Sequence, residues 1–181
     1  MKRLLLASGV LMVALPVYAA GNPTGVGASL MLGANICAKQ GDPSCDGADP
    51  SFGFSIGGVW RSSEMFGLTA DFFYGMYDSP ADITSMGFLV GPRVYVPIGN
   101  LAIFGGLGFG WGRFAQSFAG ASMDNNHLLI GVQAGGEFYI FDRLGIGAWM
   151  RWNMPIIGED DRNFTDFTSD VMVGAGATYY F

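Results

Sequence analysis

Charge is what this chain has least of. Only 13% of its 181 residues are charged, about half of the roughly 25% found in ordinary soluble domains. Lysine is nearly missing, since beyond Lys2 the sequence contains only Lys39. A leader carrying Lys2 and Arg3 would take two of the 9 basic residues with it, leaving a chain more acidic than the −6 of the full sequence. Such a balance argues against nucleic acid, because that partner demands clustered Lys and Arg. Histidine occurs once, as His127, and cysteine twice, as Cys37 and Cys45. Two thiolates without a nearby His or a further Cys fall short of the four ligands of a structural metal site. The cysteines bracket "AKQGDPS", and a short Gly/Pro-containing loop closed by two cysteines in an exported chain reads as a disulfide.

Long apolar runs are also scarce. The one present lies at the start, Leu4 to Leu15, behind Lys2 and Arg3 and ahead of Pro16 and "VYA". It is too short for the roughly 20 residues of a bilayer-spanning helix, and its layout is that of a secretory signal peptide cleaved after Ala19. The expected organisation is a leader over 1–19 and one domain over 20–181. No later run could serve as a membrane helix, although half of the sequence is hydrophobic.

What is present explains where that apolar content sits. Glycine reaches 29 residues and aromatics 14%, and apolar residues alternate with small or polar ones in stretches of about ten, the length of a tilted strand crossing an outer membrane. Eight stretches are expected: Thr24 to Ile36, Ser51 to Arg61, Gly67 to Tyr77, Ser85 to Val96, Leu101 to Phe114, His127 to Phe141, Arg143 to Met154 and Phe167 to Phe181. Recurrent glycine at every second position would break a helix. The connectors alternate between long polar segments, "CAKQGDPSCDGADP", "DSPADIT", "AQSFAGASMDNN" and "PIIGEDDRNFTD", and the short "SSEMF", "PIGN" and Asp142. Long external loops opposite tight periplasmic turns are the layout of an outer-membrane barrel.

The charges within strands follow one phase. Phe88, Val90, Pro92, Val94 and Val96 share a face, with Leu89, Arg93 and Tyr95 opposite; Asp71, Glu137 and Arg151 likewise avoid the apolar faces of their strands. A soluble barrel would place the apolar face inside, so the expected fold is an all-β, eight-stranded antiparallel up-and-down transmembrane barrel. Asp71, Arg93, Glu137 and Arg151 form the expected lumen charge cluster, two of each sign. In the last stretch Val171, Val173, Ala175, Ala177, Tyr179 and Phe181 face lipid, while Asp170, Met172, Gly174, Gly176, Thr178 and Tyr180 point inward.

The signal peptide, the eight stretches, the loop and turn alternation, "GFLVGPRVYVPIGN" and the closing "GATYYF" together resemble the small eight-stranded outer-membrane β-barrels, the superfamily of OmpA-like transmembrane domains, OmpX-like and opacity-type proteins. The resemblance implies an integral outer-membrane protein in contact with lipid and lipopolysaccharide. It also implies that Tyr179 and Phe181 form the terminal signal read by the barrel assembly machinery. The periplasmic wall-binding domain of full OmpA proteins is not expected, because the sequence ends on the barrel.

Function is less sharply marked. Eight strands leave an interior that side chains can fill, which argues against a wide porin channel. The leading expectation is a monomer with a structural or surface-interaction role, whose acidic outer face meets an extracellular ligand or surface partner. That face comprises Asp42, Asp46, Asp49, Asp78, Asp82, Asp124, Glu159, Asp160, Asp161 and Asp166, opposed by Lys39 and Arg162. Clustered carboxylates suit divalent cations, and solubility of exposed loops is the plainer explanation. A narrow channel is the first rival. A lipid A-modifying enzyme built on His127 is the second, weakened because "NNHLLIG" lacks the Ser of a deacylase-type "HxS" arrangement and needs Ser85 or Ser169 from elsewhere. "GLGFGWG" lies within a strand with no helix after it to bind phosphate, and "NFT" at Asn163 is a chance sequon. No cofactor is called for.

The chain terminus gives the first testable expectation. Phe181→Asp should leave export intact and lower the inserted, surface-exposed population several-fold, because a charge replaces an aromatic at the membrane interface. Surface labelling of intact cells measures it, and wild-type labelling would refute the role.

Overall fold

The computed structural model describes residues 22–37, 49–78, 82–118, 121–158 and 169–181. Eight strands follow one another: β1 Gly25–Cys37, β2 Asp49–Arg61, β3 Phe66–Asp78, β4 Asp82–Ile98, β5 Leu101–Phe118, β6 Ala121–Phe141, β7 Leu144–Gly158 and β8 Asp170–Tyr180. Each pairs antiparallel with its sequence neighbours, and β8 pairs with β1 from Gly27↔Tyr180 to Cys37↔Asp170, closing the barrel. No helix among the described residues is long and apolar enough to cross a membrane. Closure is the physical requirement, since an open strand edge would leave N–H and C=O groups unpaired in hydrocarbon.

The alternation seen in the sequence becomes two surfaces. Outward residues form a continuous apolar belt, with Leu30, Phe72, Phe88, Val94, Phe109 and Val173 exposed, while residues of the opposite phase, Met31, Phe73, Leu89, Tyr95 and Met172 among them, are buried. At the short-turn end Trp60, Phe66, Phe141, Tyr179 and Phe181 are all exposed aromatics, the placement of an interfacial girdle.

The turns at this end are tight for identifiable reasons. Gly99 adopts φ +59°, which lets a two-residue turn join Ile98 to Leu101. Its carbonyl accepts a bond of 3.1 Å from Asn22 Nδ2, tying the described N-terminal residues to that turn. The C-terminal end is tied too, by Tyr180 N–H to Arg143 C=O at 2.7 Å and Phe181 N–H to Val26 C=O at 2.9 Å.

Several strands run further than their apolar alternation. β5 and β6 continue to Phe118 and Ala121, with Ala115↔Asp124 and Ser117↔Ser122 in register. Much of "AQSFAGASMDNN", expected as a loop, is therefore a strand ribbon. Above the membrane both faces of a ribbon meet water, so the apolar period ends while the hydrogen-bond ladder continues. β4 likewise begins at Asp82 and β7 ends at Gly158. Pro92 sits mid-strand and keeps register with Leu68 of β3, whereas the β4–β5 pairing skips Gly91 and Pro92. Its missing N–H accounts for the gap on the β5 side.

Inward glycines make room for the interior. A Cβ on Gly57 would stand 2.0 Å from Asp71 Oδ1, whereas one on the outward Gly58 would meet nothing nearer than a carbonyl at 3.9 Å. Asp71 is buried and its other carboxylate oxygen is held by Gln133 and Arg93, and the Ala70 carbonyl stands 3.0 Å from the same Cβ, so making room would disturb that set. Gly57→Ala should therefore destabilise the barrel by about 1–3 kcal/mol, as overpacking does, while Gly58→Ala should be close to neutral. Thermal unfolding on gel-shift assays compares them, and equal midpoints would refute the packing argument.

Candidate functional site: the charged lumen and its outer mouth

The interior charges come from alternate positions of six strands. Arg61, Asp71, Arg93, Glu137, Arg151 and Asp170 are all buried, with at most 7% of any of them exposed. The sequence grouped four charges, Asp71, Arg93, Glu137 and Arg151, and placed Asp170 on the inward phase of the last strand; the structure adds Arg61, giving three of each sign among the described residues. Arg61 closes β2 on the same phase as Ser55 and Val59, so its inward direction was readable from the alternation.

The charges sort into levels. Near the short-turn end, the Arg61 guanidinium lies 3.9 Å from the centroid of the Tyr95 ring, donates through Nη1 to Tyr139 Oη at 2.6 Å, and donates through Nη2 to the Glu64 carbonyl at 2.5 Å. The Tyr139 hydroxyl donates to Glu137 Oε2 at 2.9 Å, and Thr178 Oγ1 donates to Glu137 Oε1 at 2.6 Å. Tyr180 approaches the same carboxylate at 3.5 Å. Strands β2, β4, β6 and β8 thus converge on one ion set, linked through tyrosine.

The middle of the barrel holds the next set. Arg93 Nη2 donates to Gln133 Oε1 at 2.5 Å and lies 3.9 Å from Asp71 Oδ2, while Gln133 Nε2 donates to the same Asp71 oxygen at 3.2 Å. The guanidinium also covers the Phe104 ring at 4.3 Å. Within the expected cluster the ion pair of Arg93 is with Asp71, because the two lie on the adjacent strands β4 and β3, whereas Glu137 is taken up by Tyr139 and Thr178. Arg151 donates to Ser55 Oγ at 3.1 Å, approaches Met172 Sδ at 3.5 Å and stacks on Phe73 at 4.5 Å.

Towards the outer end the interior turns apolar and amide-rich. Phe73, Leu89 and Leu129 pack together, and Tyr77 and Ile83 form a further cluster with Cys37 and Phe114 against it. Asn35 Nδ2 donates to Ser85 Oγ and Asn153 Nδ2 to Asp170 Oδ2, each at 3.2 Å. A pocket opens here, bordered by residues that include Phe73, Ser85, Phe114, His127, Leu129 and Asp170.

The remaining expected residues are placed as follows. Tyr179 and Phe181 are outward, with their rings 5.6 Å apart. Cys37 ends β1, while Cys45 lies outside the described residues, and the expected disulfide with it. His127 and Ser85 border the same pocket, Ser169 precedes β8, and Asn163 lies outside the described residues. "GLGFGWG" is strand throughout. On the outer face the expected opposition to the acids omitted Arg113, which pairs with Asp124 across the β5–β6 ribbon. Among the described residues no group of three or more metal-ligating side chains is gathered.

The same architecture recurs in solved proteins. Neisserial surface protein A matches with TM-score 0.66 at 13% identity, over 86% of this chain and 96% of that one. The N-terminal β-barrel domain of Pseudomonas aeruginosa OprF matches at 0.59 and 9%, over 87% and 98%. Yersinia pestis Ail, in complex with the heparin analogue sucrose octasulfate, matches at 0.57 and 17%, over 87% and 99%. Likeness at these identities shows a shared fold. No curated protein sequence matches the chain. The sequence profile of the outer membrane protein beta-barrel domain, however, matches residues 5–181. With that match, the closed eight-stranded barrel and its apolar belt place the protein in the outer membrane, and the chain belongs to the outer membrane protein beta-barrel domain family.

Proposed function

We propose that this protein is a sealed, monomeric outer-membrane barrel that serves a structural or surface-interaction role, with 1–19 removed on export and 20–181 inserted by the barrel assembly machinery. The observation that carries the reading is the interior itself. Its three guanidinium groups among the described residues each engage an aromatic ring and hydrogen-bond acceptors at successive levels, so side chains occupy the path a solute would take. Asp71, Arg93, Glu137 and Arg151 act as parts of a neutralised plug rather than as a transport or catalytic site.

The surface role rests on the outer face. The β5–β6 ribbon rises beyond the apolar belt, and the outer connectors carry an excess of Asp and Glu over Lys39, Arg113 and Arg162. The Ail structure holds a heparin analogue, a polyanion; the acidic face of this chain favours basic surfaces or divalent cations shared with lipopolysaccharide phosphates instead. A Cys37–Cys45 disulfide would close only a surface loop, and reductant alone should leave the folded gel band in place.

The plug is tested by removing its middle ion pair. Arg93→Met or Asp71→Leu alone strands a buried charge and should cost about 3–5 kcal/mol, whereas the double variant should cost less. None should conduct in planar bilayers. Equal stabilities of the three variants together with altered ion selectivity would instead indicate a wet path and the channel reading. Lipid A mass analysis with and without the protein should show no change, and a changed species would establish the enzyme.

A further inference from the structure

The short-turn mouth of the lumen is closed more tightly than its turns alone explain. Arg61 and Tyr180 stand at the ends of their strands and Tyr95 and Tyr139 close to the ends of theirs, yet each is at most 1% exposed. Side chains in the open end of a tube would meet water. The described chain that precedes β1 lies at this end. Thr24 is exposed, Pro23 is buried although it belongs to no strand, and Asn22 is half-buried. Asn22 Oδ1 is buried with no hydrogen-bond partner among the described residues, and its Nδ2 donates to the Gly99 carbonyl at 3.1 Å.

Gly99 lies in the turn between β4 and β5, at least three and a half strand positions around the barrel from β1 and so on the opposite wall. Tilted strands sit about 6 Å apart along the rim, so the way around is about 20 Å. Three extended residues back from Gly25 reach about 10 Å, and the Asn22 amide with its bond adds about 6 Å. The connection is therefore made across the mouth. Gly25 supplies the turn inward: its φ is +106°, which residues with a Cβ rarely adopt, and a Cβ there would meet nothing within 4 Å. Glycine is thus required at this position by backbone conformation and not by packing. We propose that Asn22 to Gly25 form a strap across the short-turn mouth, hinged at Gly25 and latched by Asn22 on Gly99, which keeps water from the Arg61, Tyr139 and Glu137 set. One side-chain hydrogen bond is a weaker hold than a strand ladder, so the strap opens while the barrel stays closed. It covers one mouth and stands apart from whether the lumen above it conducts.

The test uses the folded protein in detergent micelles, with a cysteine placed at Pro23 or at Thr24 and read by a charged thiol reagent. Mass mapping of the labelled peptide separates these sites from Cys37 and Cys45. Pro23→Cys should react several-fold more slowly than Thr24→Cys, and adding Gly25→Ala or Asn22→Ala should raise its rate towards that of Thr24→Cys. In chains without an added cysteine, Gly25→Ala should also raise nitration of Tyr139 and Tyr180 by tetranitromethane several-fold, with the outward Tyr179 unchanged. Asn22→Ala carries the test if Gly25→Ala fails to give the folded gel band. Equal rates at positions 23 and 24, or tyrosine nitration unchanged in both variants, would overturn the strap. Conductance of the wild-type barrel together with slow labelling at position 23 would overturn the sealed lumen and still support the strap.

Discussion

Everything in this barrel follows from the cost of an unpaired backbone group in hydrocarbon, several kcal/mol for each N–H or C=O left bare. Strands can cross a bilayer only if the sheet closes on itself, and β8 must therefore return to β1 in register. Closure with eight strands makes a narrow tube. From that point the two phases of each strand have separate tasks, one facing lipid and one filling the tube, and every residue choice is subject to this division.

The filling is the more demanding task. Polar side chains on the inner phase cannot reach bulk water, so each needs partners supplied by strands across the tube. Arg61 shows how this is met: β2 supplies the guanidinium, β4 a ring beneath it, β6 the tyrosine and the carboxylate, and β8 the threonine that completes the carboxylate's shell. Such a set forms only in the closed state. It ties the short-turn end of the barrel together more firmly than the ladder alone, because a hydrogen bond to a buried charge is worth about 1.5–3 kcal/mol. Glycine on the same phase is part of the arrangement, as the 2.0 Å approach of Asp71 to a Cβ on Gly57 makes plain.

Function is separated along the axis for the same reason. The short-turn end and the middle are occupied by paired charges, whereas the outer end changes to amides, aromatics and Asp170. The outer ribbon and connectors are free of the hydrocarbon constraint and carry the acidic residues. Side chains released from the lipid-facing alternation are thus found at the outer end, above the paired charges of the middle and the short-turn end.

By itself the sequence determined strand number, phase, and the directions of Asp71, Arg93, Glu137, Arg151, Asp170, Tyr179 and Phe181. These depend on an alternation of period two against lipid, which is local and repeats in every strand. It also marked the tight turns at Gly99 and Asp142. It did not reveal that β5 and β6 continue as a ribbon to Phe118 and Ala121, because pairing above the membrane leaves no apolar period to read. Nor did it reveal that Arg93 answers Asp71 while Glu137 answers Tyr139 and Thr178, or that Ser85, His127 and Asp170 border one pocket. Partners across the tube depend on the register of every intervening strand pair, a sum of choices around the whole circumference that only closure of the barrel completes.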